Sequence, residues 1–141
     1  MSWDVVVFNF HGNPPADLSA LPNDYVLDPL GPAAAVRQAI SQTFPQVDWS
    51  DPVWGMYLGD GFTFEFNTGK EDPIMTIMIH VRGGGDAVAA LLQLAVPNQW
   101  TLFDCSTSEF IDLNEPSQVG WEGFQAYRDT VIKQSRPPDE R

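Results

Sequence analysis

A single cysteine, Cys105, stands in a chain of 141 residues. No disulfide can form within the chain, so the fold must rest on its core. A lone thiol suits a reducing compartment, and a cytoplasmic location is expected. Basic residues are scarce as well: seven Lys and Arg face nineteen Asp and Glu, for a formal charge of −12. That balance repels phosphate backbones and anionic headgroups, so neither nucleic acid nor a membrane is an expected partner. No apolar run approaches the roughly 20 residues needed to cross a bilayer. Ser2-Trp3-Asp4 puts no basic residue ahead of Val5-Val6-Val7-Phe8, and no signal peptide is expected. The two histidines, His11 and His80, lie far apart with no Cys or His at ligand spacing, so no zinc site is expected. Neither a calcium loop nor a cofactor motif occurs.

What the chain does contain is apolar and aromatic: 43% hydrophobic residues and 12% aromatic ones, five of them Trp. This is the composition of a packed globule. The length fits one α+β domain over residues 1–135, with the proline-rich, charged 136–141 as a flexible tail.

Turn residues and hydrophobic periodicity divide that domain. Residues 2–10 read as a strand closed by His11-Gly12-Asn13-Pro14-Pro15, and a long loop follows to Gly31. Ala33, Val36, Ile40 and Phe44 recur at helical spacing after Pro32, and Pro45 ends the run. Asp48-Trp49-Ser50-Asp51-Pro52 reads as a turn. Residues 54–58 and 62–67 form a hairpin around Gly59-Asp60-Gly61, and a strand runs from Ile74 to about Arg82. Asp86 is a natural N-cap for a helix with Val88, Leu91, Leu92 and Ala95 on one face, ending at Pro97-Asn98. A strand over 100–105 and a helix over about 121–134, with Trp121, Phe124 and Val131 inward, complete the order β, α, β, β, β, α, β, α. The sheet is expected to be mainly antiparallel. Without one hairpin strand and the last helix, the order is the βαββαβ pattern of ferredoxin-like folds.

Alternation then sorts the side chains of the middle strands. Phe62, Phe64 and Phe66 share one face, which leaves Thr63, Glu65 and Asn67 on the other. Met75, Ile77, Ile79 and Val81 put Thr76, His80 and Arg82 opposite, with Ile74 and Met78 as apolar exceptions. Glu65, His80 and Arg82 are therefore the candidate polar site of an open sheet face. There Glu65 would orient or deprotonate His80 and Arg82 would hold an anion; cross-strand charge pairing is the structural reading of the same residues. Trp49, Trp54 and Tyr57, beside Asp48, Asp51 and Asp60, are the candidate contact patch for a cationic partner, although core packing explains aromatics equally well.

Two further patterns point more to structure than to chemistry. Arg82-Gly83-Gly84-Gly85 before a helix start resembles an anion-binding turn, but it lacks P-loop and dinucleotide spacing, and Asp86 opposes an anion. Asp104-Cys105-Ser106-Thr107 invites a nucleophile activated by His80, but alternation with Phe103 suggests a buried, inert thiol. No catalytic residue is assigned.

Three segments carry a resemblance: residues 2–10 (Ser2-Trp3-Asp4 through Phe10), Val81-Arg82-Gly83-Gly84-Gly85-Asp86, and the stretch from Gly120-Trp121-Glu122-Gly123-Phe124 to Asp129. Together they resemble a family of small uncharacterised bacterial proteins, some of them similar to immunity proteins of bacterial toxin systems. The resemblance implies a non-enzymatic binding role and transfers no catalytic motif. The expectation is a protein-binding module for a basic partner, immunity-type in its finer form. The alternative is a small hydrolase or transferase built on His80, Glu65 and Arg82.

Overall fold

A computed structural model of the chain describes residues 1–11 and 13–135. Its strands are β1 (Trp3–Phe8), β2 (Asp48–Asp51), β3 (Trp54–Leu58), β4 (Phe62–Asn67), β5 (Ile77–Gly83), β6 (Thr101–Asp104) and β7 (Glu109–Phe110). The helices are α1 (Ala33–Thr43), α2 (Ala87–Asn98) and α3 (Val119–Ser135). The strands form one seven-stranded sheet in the order β2-β3-β4-β5-β1-β6-β7, and every pairing is antiparallel. The chain is therefore an α+β protein. Its sheet is wider than the expected one. The expected tail, 136–141, lies outside the described residues.

Strict burial alternation in β1, β4 and β5 gives the sheet two unlike faces. Val5, Val7, Phe64, Phe66, Ile77, Ile79 and Val81 are all fully buried, and they share one core with Val36 and Ile40 of α1 and Val88, Leu91 and Leu94 of α2. Leu94 takes the inward place expected of Leu92, which is half-buried. α3 instead crosses the end of the sheet. Trp121 packs on Trp3 with ring centroids 5.5 Å apart and donates Nε1–H to the Gly85 carbonyl at 3.0 Å.

Several local expectations change. Residues 48–51 are an edge strand rather than a turn. Asp residues rank low as strand formers, but the segment is held from outside: Trp49 packs over Gly55 and donates Nε1–H to Ser41 Oγ of α1 at 3.0 Å. β5 begins at Ile77, three residues later than expected, because Ile74 is drawn aside into a bridge with Gly31. Pro97 sits inside the last turn of α2 instead of stopping it, and Gln99 closes the helix at φ 56°. The loop to Gly31 is tied at several points, by a bridge from Asn9 to Asp28, an Asn9 hydrogen bond to the Pro29 carbonyl, and Tyr25 against Phe10.

The triple glycine has a steric cause. At Gly83 (φ 95°) a Cβ would stand 2.5 Å from the Gly61 carbonyl oxygen, and at Gly85 (φ 75°) 2.5 Å from that of Asp60. Glycines let the β3–β4 turn lie directly on the β5–α2 turn, with Gly84 N–H donating to Gly61 O at 2.6 Å. Asp86 caps α2 by accepting from Ala89 N–H at 3.4 Å. The segment is a backbone junction with a carboxylate at the helix start, not a cradle for an anion.

Candidate functional site

The second face of the sheet is the candidate site. Among the described residues no helix packs on it. Strand register lays its side chains out in rows. One row crosses six strands, as Trp54, Asn67, Met78, Val6, Phe103 and Phe110. All six are half-buried, although Val6, Met78 and Phe103 lie on inner strands. The row beside it runs Met56, Glu65, His80, Asp4. On the edge strand Asp51 pairs with Trp54 and Asp48 with Met56, so two exposed carboxylates border the rows. The Ser50 hydroxyl, and then its backbone N–H, hold the Asp48 carboxyl below its usual range and keep it ionised at the rim.

Glu65, His80 and Arg82 do share this face, as expected, and Glu65 lies directly opposite His80 in register. Their bonding differs from the expectation. Glu65 forms its ion pair with Arg82, not with His80. His80 Nδ1 instead meets Asp4 Oδ1 at 2.7 Å from the neighbouring strand β1. Arg82 also donates Nε–H to the Met1 carbonyl at 3.0 Å. With a carboxylate and a carbonyl already bound, its guanidinium is not held ready for an anion. Asp4 is the site residue that sequence reasoning missed. Its only signal was a lone acid in a strand of Val and Phe, and its partner stands 76 positions away.

The aromatic patch divides between the two faces. Trp49 and Tyr57 point to the helices, where Tyr57 stacks on Phe44 at 4.5 Å. Trp54 alone lies on the open face, its ring centroid 5.6 Å from that of His80 and the planes 26° apart. The physical reason is period-two geometry: Trp54 and Tyr57 are three apart in β3 and must point opposite ways. Core packing therefore accounts for Trp49 and Tyr57, which leave the contact patch.

Nucleophilic chemistry finds little support here. Cys105 is exposed, contrary to the buried thiol expected. Alternation with Phe103 was read correctly, but the face they share is the open one. Partial desolvation pushes the Cys105 thiol above its ordinary value, and the Asp4 and Asp104 carboxylates add to the shift. Such a thiol stays protonated at neutral pH. Ser106 Oγ donates to Asp104 at 2.6 Å, and that buried carboxylate also accepts from Trp3 Nε1 at 3.0 Å and Ser106 N at 2.8 Å. Asp104 is thus an anchor between β6, β1 and the following turn. Ser2 Oγ lies 3.4 Å from His80 Nδ1, the nitrogen already committed to Asp4. His11 pairs with Asp28 at 2.6 Å on the exposed loop, away from this face. Among the described residues no group of three His, Cys, Asp or Glu is placed to hold a metal ion. Among the described residues no helix is long and apolar enough to cross a membrane.

Comparison with family models, with curated proteins and with solved structures finds no match to this chain.

Proposed function

We propose that this chain is a protein-binding module whose open sheet face occludes a basic partner, with an immunity-type inhibitor as the specific form of that role. The observation that carries the reading is the half-buried row of Trp54, Asn67, Met78, Val6, Phe103 and Phe110, on which no helix packs among the described residues, with Asp48 and Asp51 at its edge. A strip that is apolar except at Asn67, with a charged margin, has the anatomy of an interface, in which apolar contact supplies affinity and peripheral charge steers approach. The polar residues between are already paired, Glu65 with Arg82 and Asp4 with His80. A partner could cover them with these hydrogen bonds already made. The formal charge of −12 favours a basic surface opposite. The same reading takes β6-β1-β5-β4, with α1 and α2, as a ferredoxin-like centre to which β2, β3 and β7 are added.

The test is a tagged pull-down washed at high salt. Wild type is expected to retain a basic protein at 1:1 stoichiometry, and a Met56→Lys/Met78→Lys variant to lose it while unfolding at a similar temperature. A Val96→Lys/Ile132→Lys control, altered at exposed positions on the helices, should keep it. Release by moderate salt, or equal loss in the control, would remove the reading, because charge alone would then explain capture.

One observation favours a second reading, a hydrolase or transferase centred on His80. Asp4 holds Nδ1 at 2.7 Å, as a carboxylate does when it orients a general base. That reading requires His80→Ala to stay folded and lose a measurable turnover; equal background from both proteins across a substrate screen would end it.

A further inference from the structure

We infer that Trp54 and Asp51 form a subsite for one arginine side chain of the partner, the guanidinium lying on the indole with the Asp51 carboxylate at its edge. The inference rests on the protein-binding reading of the open face and names the chemistry its edge selects. Trp54 is half-buried, and His80 stacks on it with ring centroids 5.6 Å apart. The side chain therefore keeps part of its surface exposed, and indole is the strongest of the side-chain rings at attracting a cation.

Asp51 is the direct cross-strand partner of Trp54, which places the two Cβ atoms about 5 Å apart. Among the described residues Asp51 takes part in no ion pair. It accepts only the Val53 N–H, at 3.1 Å through Oδ1. Arg37, on α1, reaches this corner but donates to the Pro52 carbonyl at 3.5 Å. Arg82, the cation of the open face, is held by Glu65. A π surface and a carboxylate thus stand together, and among the described residues no Lys or Arg pairs with the carboxylate. A planar guanidinium can stack on the ring and offer its edge N–H groups to the carboxylate, which a compact ammonium cannot do at once.

The test uses the full chain and 1H–15N NMR with the capped tripeptide Ac-Gly-Arg-Gly-amide as probe, beside its citrulline and lysine counterparts at equal concentration. The arginine peptide is expected to move the Trp54 indole N–H and the Asp51 amide saturably. The neutral, near-isosteric citrulline peptide should produce less than about a third of that shift. Asp51→Asn keeps an oxygen for the Val53 N–H and should weaken arginine binding about three-fold, while Trp54→Leu abolishes the Asp51 response. Equal shifts from citrulline, or from lysine, would overturn the guanidinium assignment. Shifts at Val6 and Met78 with Trp54 unmoved would refute the subsite and leave the broader face standing; no shift anywhere on the face would count against both.

Discussion

Gly120 and Gly123 lie one turn apart in α3 and predict opposite outcomes for the same substitution. Alanine is a better helix former than glycine by about 1 kcal/mol, so helix propensity alone says that both changes stabilise. Around Gly123 there is nothing within 4 Å of an added Cβ, and the full gain is expected there. At Gly120 the added carbon would stand 2.8 Å from Asp104 Cγ and 2.9 Å from Trp3 Nε1, and closer still to Asp104 Oδ2. Real Cβ contacts under 3.0 Å essentially do not occur, so something must move. If Asp104 rotates, it gives up hydrogen bonds to Trp3 Nε1 and to the Ser106 N–H and hydroxyl, each worth about 1.5–3 kcal/mol to a charged group. If α3 withdraws, Trp121, which is 2% exposed, loses part of its burial, at a cost of similar size. Set against the propensity gain, Gly120→Ala is expected to destabilise by at least about 3.5 kcal/mol, or roughly 7–14 °C in Tm, while Gly123→Ala raises Tm by roughly 2–4 °C. Urea and thermal unfolding followed by tryptophan fluorescence would measure both. Two shifts of the same sign would refute the reasoning, because α3 would then not be seated against Asp104 and Trp3.

Other expectations follow from the same contacts. Glu65 is 18% exposed and Arg82 40%, so the pair is partly shielded from solvent; Arg82→Ala should cost about 1–2 kcal/mol in the wild-type background and little once Glu65 is alanine. A double-mutant cycle with a coupling energy below about 0.3 kcal/mol would contradict the pairing and return Arg82 to the role of a free anion contact. Cys105 should react slowly with iodoacetamide at pH 8 despite its exposure, and its rate should go on rising with pH beyond the point where an ordinary thiol levels off, since desolvation first, and the Asp4 and Asp104 charges after it, favour the protonated thiol. Asp4→Asn removes one of those charges and should speed the reaction at pH 8; a rate already level by pH 8 would show that the thiol is not shifted upward.

Much of the fold could be read locally. Phe62, Phe64 and Phe66 set one face of β4 by alternation, and that placed Glu65 on the other without knowledge of any partner. Asp86 as a cap and the hairpin about Gly59-Asp60-Gly61 were legible because each depends on a few adjacent residues. The edge strands were not. Asp48–Asp51 is held by the contact of Trp49 with a helix, and the two-residue β7 is accompanied by Phe110 meeting Phe103 across a turn, contacts between residues that no local pattern connects.

The sequence by itself determined which side chains lie on the same side of each strand, since the two-residue period is a property of the backbone and needs no partner. Tertiary structure alone decided which of those side chains meet. His80 stands between Glu65 and Asp4 in register, and the third dimension gave Glu65 to Arg82 and His80 to Asp4. It also decided that Cys105 and Trp54 face outward while Trp49 and Tyr57 face in, because strand order and the side on which helices pack turn equivalent faces into a core and an open surface.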